Sequence, residues 1–406
     1  MMRMSPIEEF RGKIKQDPED FRVEEIVKSG RVLQVGSHVE ASDLDMTEDP
    51  DGKFTIFIME KTNWNTLQAL KVIAKRTGRG IKSVGFAGTK DKVSVSTQLC
   101  SIFGARKERI VGIHIKDIRI NGAWQSSEGI RMGGLIGNRF TIKISDTDAT
   151  KERIDSIAES LNGIFPNFFG GQRFGFRSNN VWIGMHIMKG EFEAAAMQFL
   201  TDTNNERNLD SIEARERLAE ERDFPSALEY FPKYLKYERS VLEYLSRYPT
   251  DYANALRRLP RAIALMFVHS VEAQIFNKEV ENRIGDPGGR QGEDTFCPAD
   301  SFGFPDLSKE GSEGRFILGN IVGYESSAIS ETEKKIMEEL GISKDDFKIE
   351  RMPELNCKGS KRVLFTPYND FSCNVGNNAA VLSFSLPSGS YATVLLNEFV
   401  KSERLG

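Results

Sequence analysis

Phe86-Ala87-Gly88-Thr89-Lys90-Asp91-Lys92 is the stretch from which the rest of this chain is read. Upstream of it, Ile81 to Ala87 has strand character. Gly88 to Lys92 is rich in turn formers. Downstream, Val93, Val95, Thr97 and Leu99 alternate with Ser94, Ser96, Gln98 and Cys100, the period of a second strand. Asp91 is therefore expected in a tight loop pinned between two strands. A loop held by rigid elements is where catalytic side chains are often found, though ordinary turn aspartates sit there too.

Working outward, Asn65-Thr66 supplies an N-cap, and Leu67, Leu70, Ile73 and Ala74 follow at helical spacing, with Gly78 as the C-terminal stop. Phe54 to Met59 is a short apolar run with strand character. Near the start, Pro18 to Glu25 mixes Phe21 and Val23 with charges, which predicts a half-buried edge strand. On the other side, Asn138 to Ile144 reads as a strand on which Asn138 and Phe140, two apart, share a face. Asp148 to Ile164 predicts a helix, followed by the aromatic-glycine segment Asn167 to Gly175. From about 186 to 285 the pattern is helical and amphipathic, most clearly from Leu256 to Ile284. A Gly- and Asp-rich loop is expected at 285–294. Val381 to Leu386 is a strand, Ser388 to Tyr391 a turn, and Ala392 to Val400 a closing helix. Strand-rich ends thus flank a helical middle.

A length of 406 residues predicts more than one domain, because single cores stop growing near 250–300 residues. The longest apolar run, Ala262 to Val268, is far short of the roughly 20 residues that span a bilayer. Five acids between Glu8 and Asp20 argue against a secretory signal, so a cytoplasmic protein is expected. Cys100, Cys297, Cys357 and Cys373 show no Cys-x-x-Cys spacing, and no His stands near one in sequence. They read as free thiols in a reducing compartment, with no zinc motif. His38, His114, His186 and His269 are mutually remote. Gly12-Lys13 and Gly52-Lys53 are followed by Ile14 and Phe54 where a phosphate loop needs Ser or Thr, and residues 129–137 do not match Gly-x-Gly-x-x-Gly. The chemistry left open is that of carboxylates, hydroxyls and lysines. Charge is distributed unevenly. Twelve basic residues against three acidic ones lie between Lys53 and Ile110, a local balance of +9 in a chain whose formal net charge is −4. A basic zone of this kind, including Lys71, Lys75, Arg76 and Arg79, is the electrostatic footprint of phosphate binding.

Taken together, these segments resemble the TruD-type tRNA pseudouridine synthases. The match runs along much of the chain. It includes Pro18 to Glu24, Lys61 to Thr66, Phe86 to Lys92, Thr97-Gln98, Gly137 to Phe140, Asn167 to Gly175 and Leu386 to Thr393, in the family's order. The resemblance implies an α+β catalytic domain built on a mixed, mainly antiparallel sheet, interrupted by a large α+β insertion. The expected spans are 1–163 and 367–406 for the catalytic domain and 164–366 for the insertion. It also implies the reaction: uridine in tRNA, expected at position 13, becomes pseudouridine. This isomerisation breaks the C1′–N1 bond and joins C1′ to C5. Nothing is oxidised and nothing leaves, so no cofactor and no metal is expected. The expected partner is tRNA, with no membrane association, and the expected state is a monomer.

By the same resemblance, Asp91 is the catalytic carboxylate, a group ionised at neutral pH. Whether it acts on the ribose or on the base is left open, as is the group that removes the C5 proton. A base taken out of its stack needs aromatic and hydrogen-bonding partners. Phe140 is expected to stack on the uracil, with Asn138 bonding its polar edge or holding Asp91. Phe21 matches a further aromatic of the site, and Tyr391 stands where the family often carries Phe. Lys90, Lys92 and Lys61 are candidates for phosphate contact or for holding the carboxylate. Arg173, with Gln172, matches a family signature and is a candidate for RNA contact or for holding the two domains together. Two rival readings are a non-catalytic RNA-binding protein that kept the fold and a glycosidase. The glycosidase would need a second, paired carboxylate, which the basic loop around Asp91 does not offer.

Overall fold

A computed structural model of the chain describes residues 2–290 and 294–401. Residues 1, 291–293 and 402–406 lie outside the described residues; they fall within the expected domain spans, and 291–293 within the loop expected at 285–294. The chain divides into two units. One bears a large sheet and comprises Arg3–Phe165, Ala299–Pro305 and the chain from Thr366 onward. The other comprises Pro166–Pro298 and Asp306–Phe365 and is mainly helical.

The sheet contains nine strands: β1 (Lys13–Ile14), β2 (Phe21–Val27), β3 (Phe54–Thr62), β4 (Val84–Phe86), β5 (Val95–Phe103), β6 (Ile118–Ser126), β7 (Leu135–Ser145), β8 (Asn369–Gly376) and β9 (Ala379–Pro387). The order across the sheet is β8-β9-β7-β2-β5-β3-β6, with β1 paired to β7 and β4 to β5. Only the β2–β5 pairing is parallel, so the sheet is mixed and mainly antiparallel, as the resemblance implied. The last two strands come from the C-terminal end of the chain: β9 pairs with β7 along Ala379–Pro387, and β8 pairs with β9 at the edge.

The expectation of an edge strand at Pro18 to Glu25 is overturned. β2 lies inside the sheet between β7 and β5, and all its residues but Arg22 are buried. Its charges misled the reading because they are paired internally: Glu24 meets Arg139 at 3.0 Å and Glu25 meets Lys90 at 2.6 Å. β8 is the strand that alternates between half-buried and exposed residues at an edge.

One face of β3 and β5 carries Phe57, Met59, Cys100 and Ile102, and helix α1 (Thr66–Arg76) covers it with Ala69, Leu70, Ile73 and Ala74. Each large apolar side chain buried here is worth about 1.5–3 kcal/mol. The helix begins as expected: the Asn65 side chain accepts from the Leu67 and Gln68 amides at 3.0 and 3.3 Å. It ends at Gly78, whose φ of +74° is a conformation that costs glycine little. Its outer side leaves Lys71, Lys75 and Arg76 in solvent. The opposite face of the sheet, with Ile56, Ile58, Leu99 and Trp124, is covered by Leu33, Val39, Ala41 and Leu44.

Other boundaries shift for local reasons. The helix expected over 148–164 spans Lys151–Leu161, capped by Thr150 and stopped at Asn162 in the left-handed region. Ile81–Ser83 is a 3-10 turn, so the strand expected there shrinks to β4. The helix expected from Leu256 to Ile284 is two, Tyr252–Leu256 and Arg261–Arg283, because Pro260 lacks an amide donor and opens the second. The closing helix spans Ala392–Phe399.

The helical unit packs Asn180–Met188, Phe192–Thr201, Leu209–Glu221, Lys236–Leu245 and Arg261–Arg283 around one apolar core. A three-stranded antiparallel sheet of Thr295–Cys297, Phe316–Ile321 and Ser360–Val363 completes it. Among the described residues, no helix is long and apolar enough to cross a membrane.

Candidate active site

The loop from Ala87 to Ser94 is anchored from several sides, and each anchor comes from a different element. Thr66, the first residue of α1, accepts the Lys90 amide on its hydroxyl at 3.0 Å and lies 3.3 Å from the Lys90 carbonyl. Gln98 on β5 donates to the Gly88 carbonyl at 3.2 Å. Lys61 at the end of β3 donates its ammonium to the Asp91 carbonyl at 2.8 Å, and the Ser94 hydroxyl donates to the same oxygen at 2.7 Å. The backbone at Asp91 is thereby fixed by two donors while its side chain stays available. That side chain is 43% exposed.

Lys90 and Lys61 do not reach outward. Lys90 is buried, and its ammonium pairs with the buried Glu25 carboxylate at 2.6 Å. Glu25 also accepts the Leu99 amide at 3.2 Å, so the ion pair is backed by a backbone bond. Such a pair is kept because neither charge tolerates losing the other in a buried position. Lys61 is fully buried, and burial pushes its pKa down to about 8. The nearby Asp91 charge opposes that shift and Lys90 adds to it. Both lysines therefore hold the loop, while Lys92 is exposed on it.

The Asp91 carboxylate meets the Lys15 ammonium at 2.6 Å. The same ammonium stands 4.0 Å from the centroid of the Phe21 ring. Lys15 follows the short strand β1 and adopts φ = 53°, a left-handed conformation that costs a non-glycine residue about 1 kcal/mol or more. One cation thus links the carboxylate to an aromatic ring at the start of β2.

Strand register sets the rest. Val23 faces Phe140 and Glu25 faces Asn138 across the β2–β7 pair, while Phe384 and Leu386 face Phe140 and Asn138 across β9–β7. Phe140 packs edge-on against Phe21 with centroids 6.1 Å apart and stacks on Phe384 at 5.6 Å. Phe21 and Phe140 are both buried. The Asn138 side-chain oxygen, Oδ1, is buried and has no hydrogen-bond partner among the described residues. A buried acceptor left unmade costs about 1–3 kcal/mol, so it is suited to receive a donor from a ligand.

The sheet unit therefore brings Asp91, Lys61, Lys90, Phe21, Asn138 and Phe140 into one neighbourhood. Tyr391 stands at the N-cap of the closing helix, 38% exposed. Arg173 belongs to the helical unit, where its guanidinium lies over the Phe169 ring at 5.1 Å. Five anchoring residues escaped the sequence reading. Glu25, Thr66 and Gln98 sat inside the quoted segments and Ser94 beside one, but nothing in them marked buried anchors. Lys15 carried no signal, because its meeting with Asp91 spans 76 residues.

Similarity to known proteins agrees with this construction. The family model for tRNA pseudouridine synthase D (TruD) matches residues 2–399. A Methanococcus maripaludis protein named "Probable tRNA pseudouridine synthase D 2" is 36% identical over 97% of this chain and 96% of its own length. A Methanococcoides burtonii protein named "Probable tRNA pseudouridine synthase D" is 33% identical over 97% of this chain and 94% of its own. A crystal structure of a Methanosarcina mazei protein, likewise described as a tRNA pseudouridine synthase D (TruD), superposes with a TM-score of 0.76 at 29% identity. It covers 98% of this chain and 95% of that one. A sheet of this topology and a match along nearly the whole length place the chain in the TruD family of tRNA pseudouridine synthases.

Proposed function

We propose that Asp91 is the catalytic carboxylate with which this enzyme isomerises uridine to pseudouridine in tRNA, at position 13, with the target base flipped out of its stack. The observation that carries this is the treatment of Asp91. Its backbone is fixed by Lys61 and Ser94, while its carboxylate remains 43% exposed beside the Lys15 ammonium. A group that must meet a reacting carbon needs this combination of fixed position and open access.

The residues divide the work as follows. Asp91 presents an anion to the ribosyl or uracil carbon when the C1′–N1 bond breaks and the C1′–C5 bond forms. The proton lost from C5 is balanced by one gained at N1, so the product is an isomer. Lys15 is the counter-charge that orients the carboxylate. Phe21 and Phe140 form the apolar wall for the uracil, and the unpartnered Asn138 oxygen accepts the uracil N3–H. A flipped base is read through such edge bonds and ring contacts. Tyr391 is assigned to the rim of the same site, and Arg173 to RNA contact from the helical unit. Lys92 and the basic face of α1 take the phosphates, since RNA is recognised mainly through shape and backbone. The catalytic domain is assigned to 1–163 and 367–406, the insertion to 164–366, and the working form is taken to be a monomer.

The test is to incubate the protein with unmodified tRNA transcripts and map pseudouridine by position. Modification is expected at one uridine, and Asp91→Asn is expected to abolish it while tRNA binding stays within a few fold. Full activity in Asp91→Asn refutes the assignment.

A further inference from the structure

In sequence, His269 and Cys357 are 88 residues apart and carry no metal motif. Within the helical unit they come together. His269 and Glu272 lie one turn apart on the helix Arg261–Arg283, and Cys357 follows the short turn Pro353–Leu355. The His269 Nδ1 atom is 2.6 Å from a Glu272 carboxylate oxygen and 3.8 Å from the Cys357 sulfur. The three donor atoms all lie within 4.8 Å of one another.

Two features separate this cluster from ordinary packing. Glu272 is buried, and among the described residues its ion-pair partner is His269, with no Lys or Arg. A buried carboxylate without a firm counter-charge is costly. Arg261, about three turns before Glu272 on the same helix, is tied to the Glu354 carbonyl at 3.1 Å. Secondly, the backbone that carries the thiol is held in place. The Cys357 amide donates to the Phe347 carbonyl at 3.2 Å, and the Tyr324 amide donates to the Cys357 carbonyl at 3.0 Å. The arrangement is not a nucleophile triad, because thiol and carboxylate meet the same ring nitrogen and leave no relay through the imidazole.

We propose that His269, Glu272 and Cys357 form a binding site for a borderline-soft divalent cation of the Zn²⁺ class. One nitrogen, one oxygen and one sulfur ligand suit that class. With bonds of about 2.0–2.3 Å, tetrahedral ligands stand roughly 3.3–3.6 Å apart. The observed spacings reach this with shifts on the order of 1 Å, which a Glu side chain can make by rotation. The His269 side chain is 39% exposed, which supplies an entry path and room for water as the fourth ligand. Binding displaces the thiol proton to solvent, as thiolate ligation requires. The cation's role here is to tie the segment around Cys357 to the long helix, independent of the chemistry at Asp91.

The test uses full-length protein stripped with a chelator and titrated with Co²⁺, a spectroscopic stand-in for Zn²⁺. One equivalent is expected, with a thiolate-to-metal charge-transfer band and tetrahedral visible bands, both abolished by adding Zn²⁺. Zn²⁺ should also raise the Tm of the stripped protein, since a ligand that binds only the folded state stabilises it. Cys357→Ser should remove the charge-transfer band. Its Zn²⁺ affinity should fall by at least the about 10–100-fold that even an outer-shell change costs. His269→Gln, at the exposed rim where folding is least at risk, should weaken Zn²⁺ to the same degree. Absence of stoichiometric binding, binding without a sulfur band, or unchanged affinity in His269→Gln overturns the proposal.

Discussion

Lys61→Met probes how the loop is held. In the folded protein burial lowers the Lys61 pKa from 10.5 to about 8. Below that value both folded and unfolded chains hold the proton, and the folded chain carries a buried charge at a cost of about 3 kcal/mol. Between about 8 and 10.5 the unfolded chain keeps the proton and the folded chain releases it. Stability from this group therefore rises with pH, by about 1 kcal/mol from pH 7 to 9 and about 2 kcal/mol by pH 10. Methionine removes the titration and keeps most of the volume. It also removes one of two donors to the Asp91 carbonyl, leaving the Ser94 hydroxyl. At pH 7 the relieved charge outweighs a lost hydrogen bond of about 1–2 kcal/mol, so the variant should be at least as stable as wild type. Urea unfolding of both proteins at pH 7, 8, 9 and 10 reads the difference, in which all other titrations cancel. The advantage of the variant should shrink and then reverse as pH rises. A difference that stays flat from pH 7 to 10 would falsify the buried-ammonium argument. The kcat for pseudouridine formation should fall while KM for tRNA holds, because the lost contact positions Asp91 and touches no phosphate.

Glu25→Gln leaves the Lys90 ammonium buried without its counter-charge, and chemical denaturation should show a loss of about 3–5 kcal/mol. Wild-type stability in that variant would mean the pair is not buried as described. Asn138→Ala removes the unpartnered acceptor; it should lower kcat/KM by about tenfold or more while leaving stability unchanged or improved, since no internal bond is lost. An unaltered kcat/KM would remove Asn138 from the site. Affinity for tRNA should drop steeply between 50 and 200 mM salt, as counterion release demands. Replacing Lys71, Lys75 and Arg76 together with Ala should flatten that dependence; a wild-type slope in the triple variant would place the phosphates elsewhere.

Much of the fold was legible where one periodicity reported one environment. The α1 helix was marked by its cap, its apolar spacing and its terminal glycine. β5 was marked by alternation, although both of its faces are buried. The reading failed where charge had a partner far along the chain. β2 looked like an edge because Glu24 and Glu25 are acidic, yet Arg139 and Lys90 neutralise them inside the sheet. For Lys61 and Lys90 the sequence leaves phosphate contact and holding the carboxylate both open, since a lysine's type does not report its burial; both are buried. Pro260 was visible in the sequence and should have divided the long helix.

The sequence by itself determined the chemical cast: a loop aspartate between two strands, an Asn and a Phe on one strand face, a basic zone around them and no Cys-rich motif. Those are local properties, set by spacing and by the period of the backbone. Only the tertiary structure decided which cations face outward and which are buried, that Lys15 meets Asp91, and that His269, Glu272 and Cys357 converge. The physical reason is that charge pairing and ligand geometry act through space over a few ångströms. The partners here are separated by 76 and 88 residues of chain, distances over which no sequence periodicity carries information.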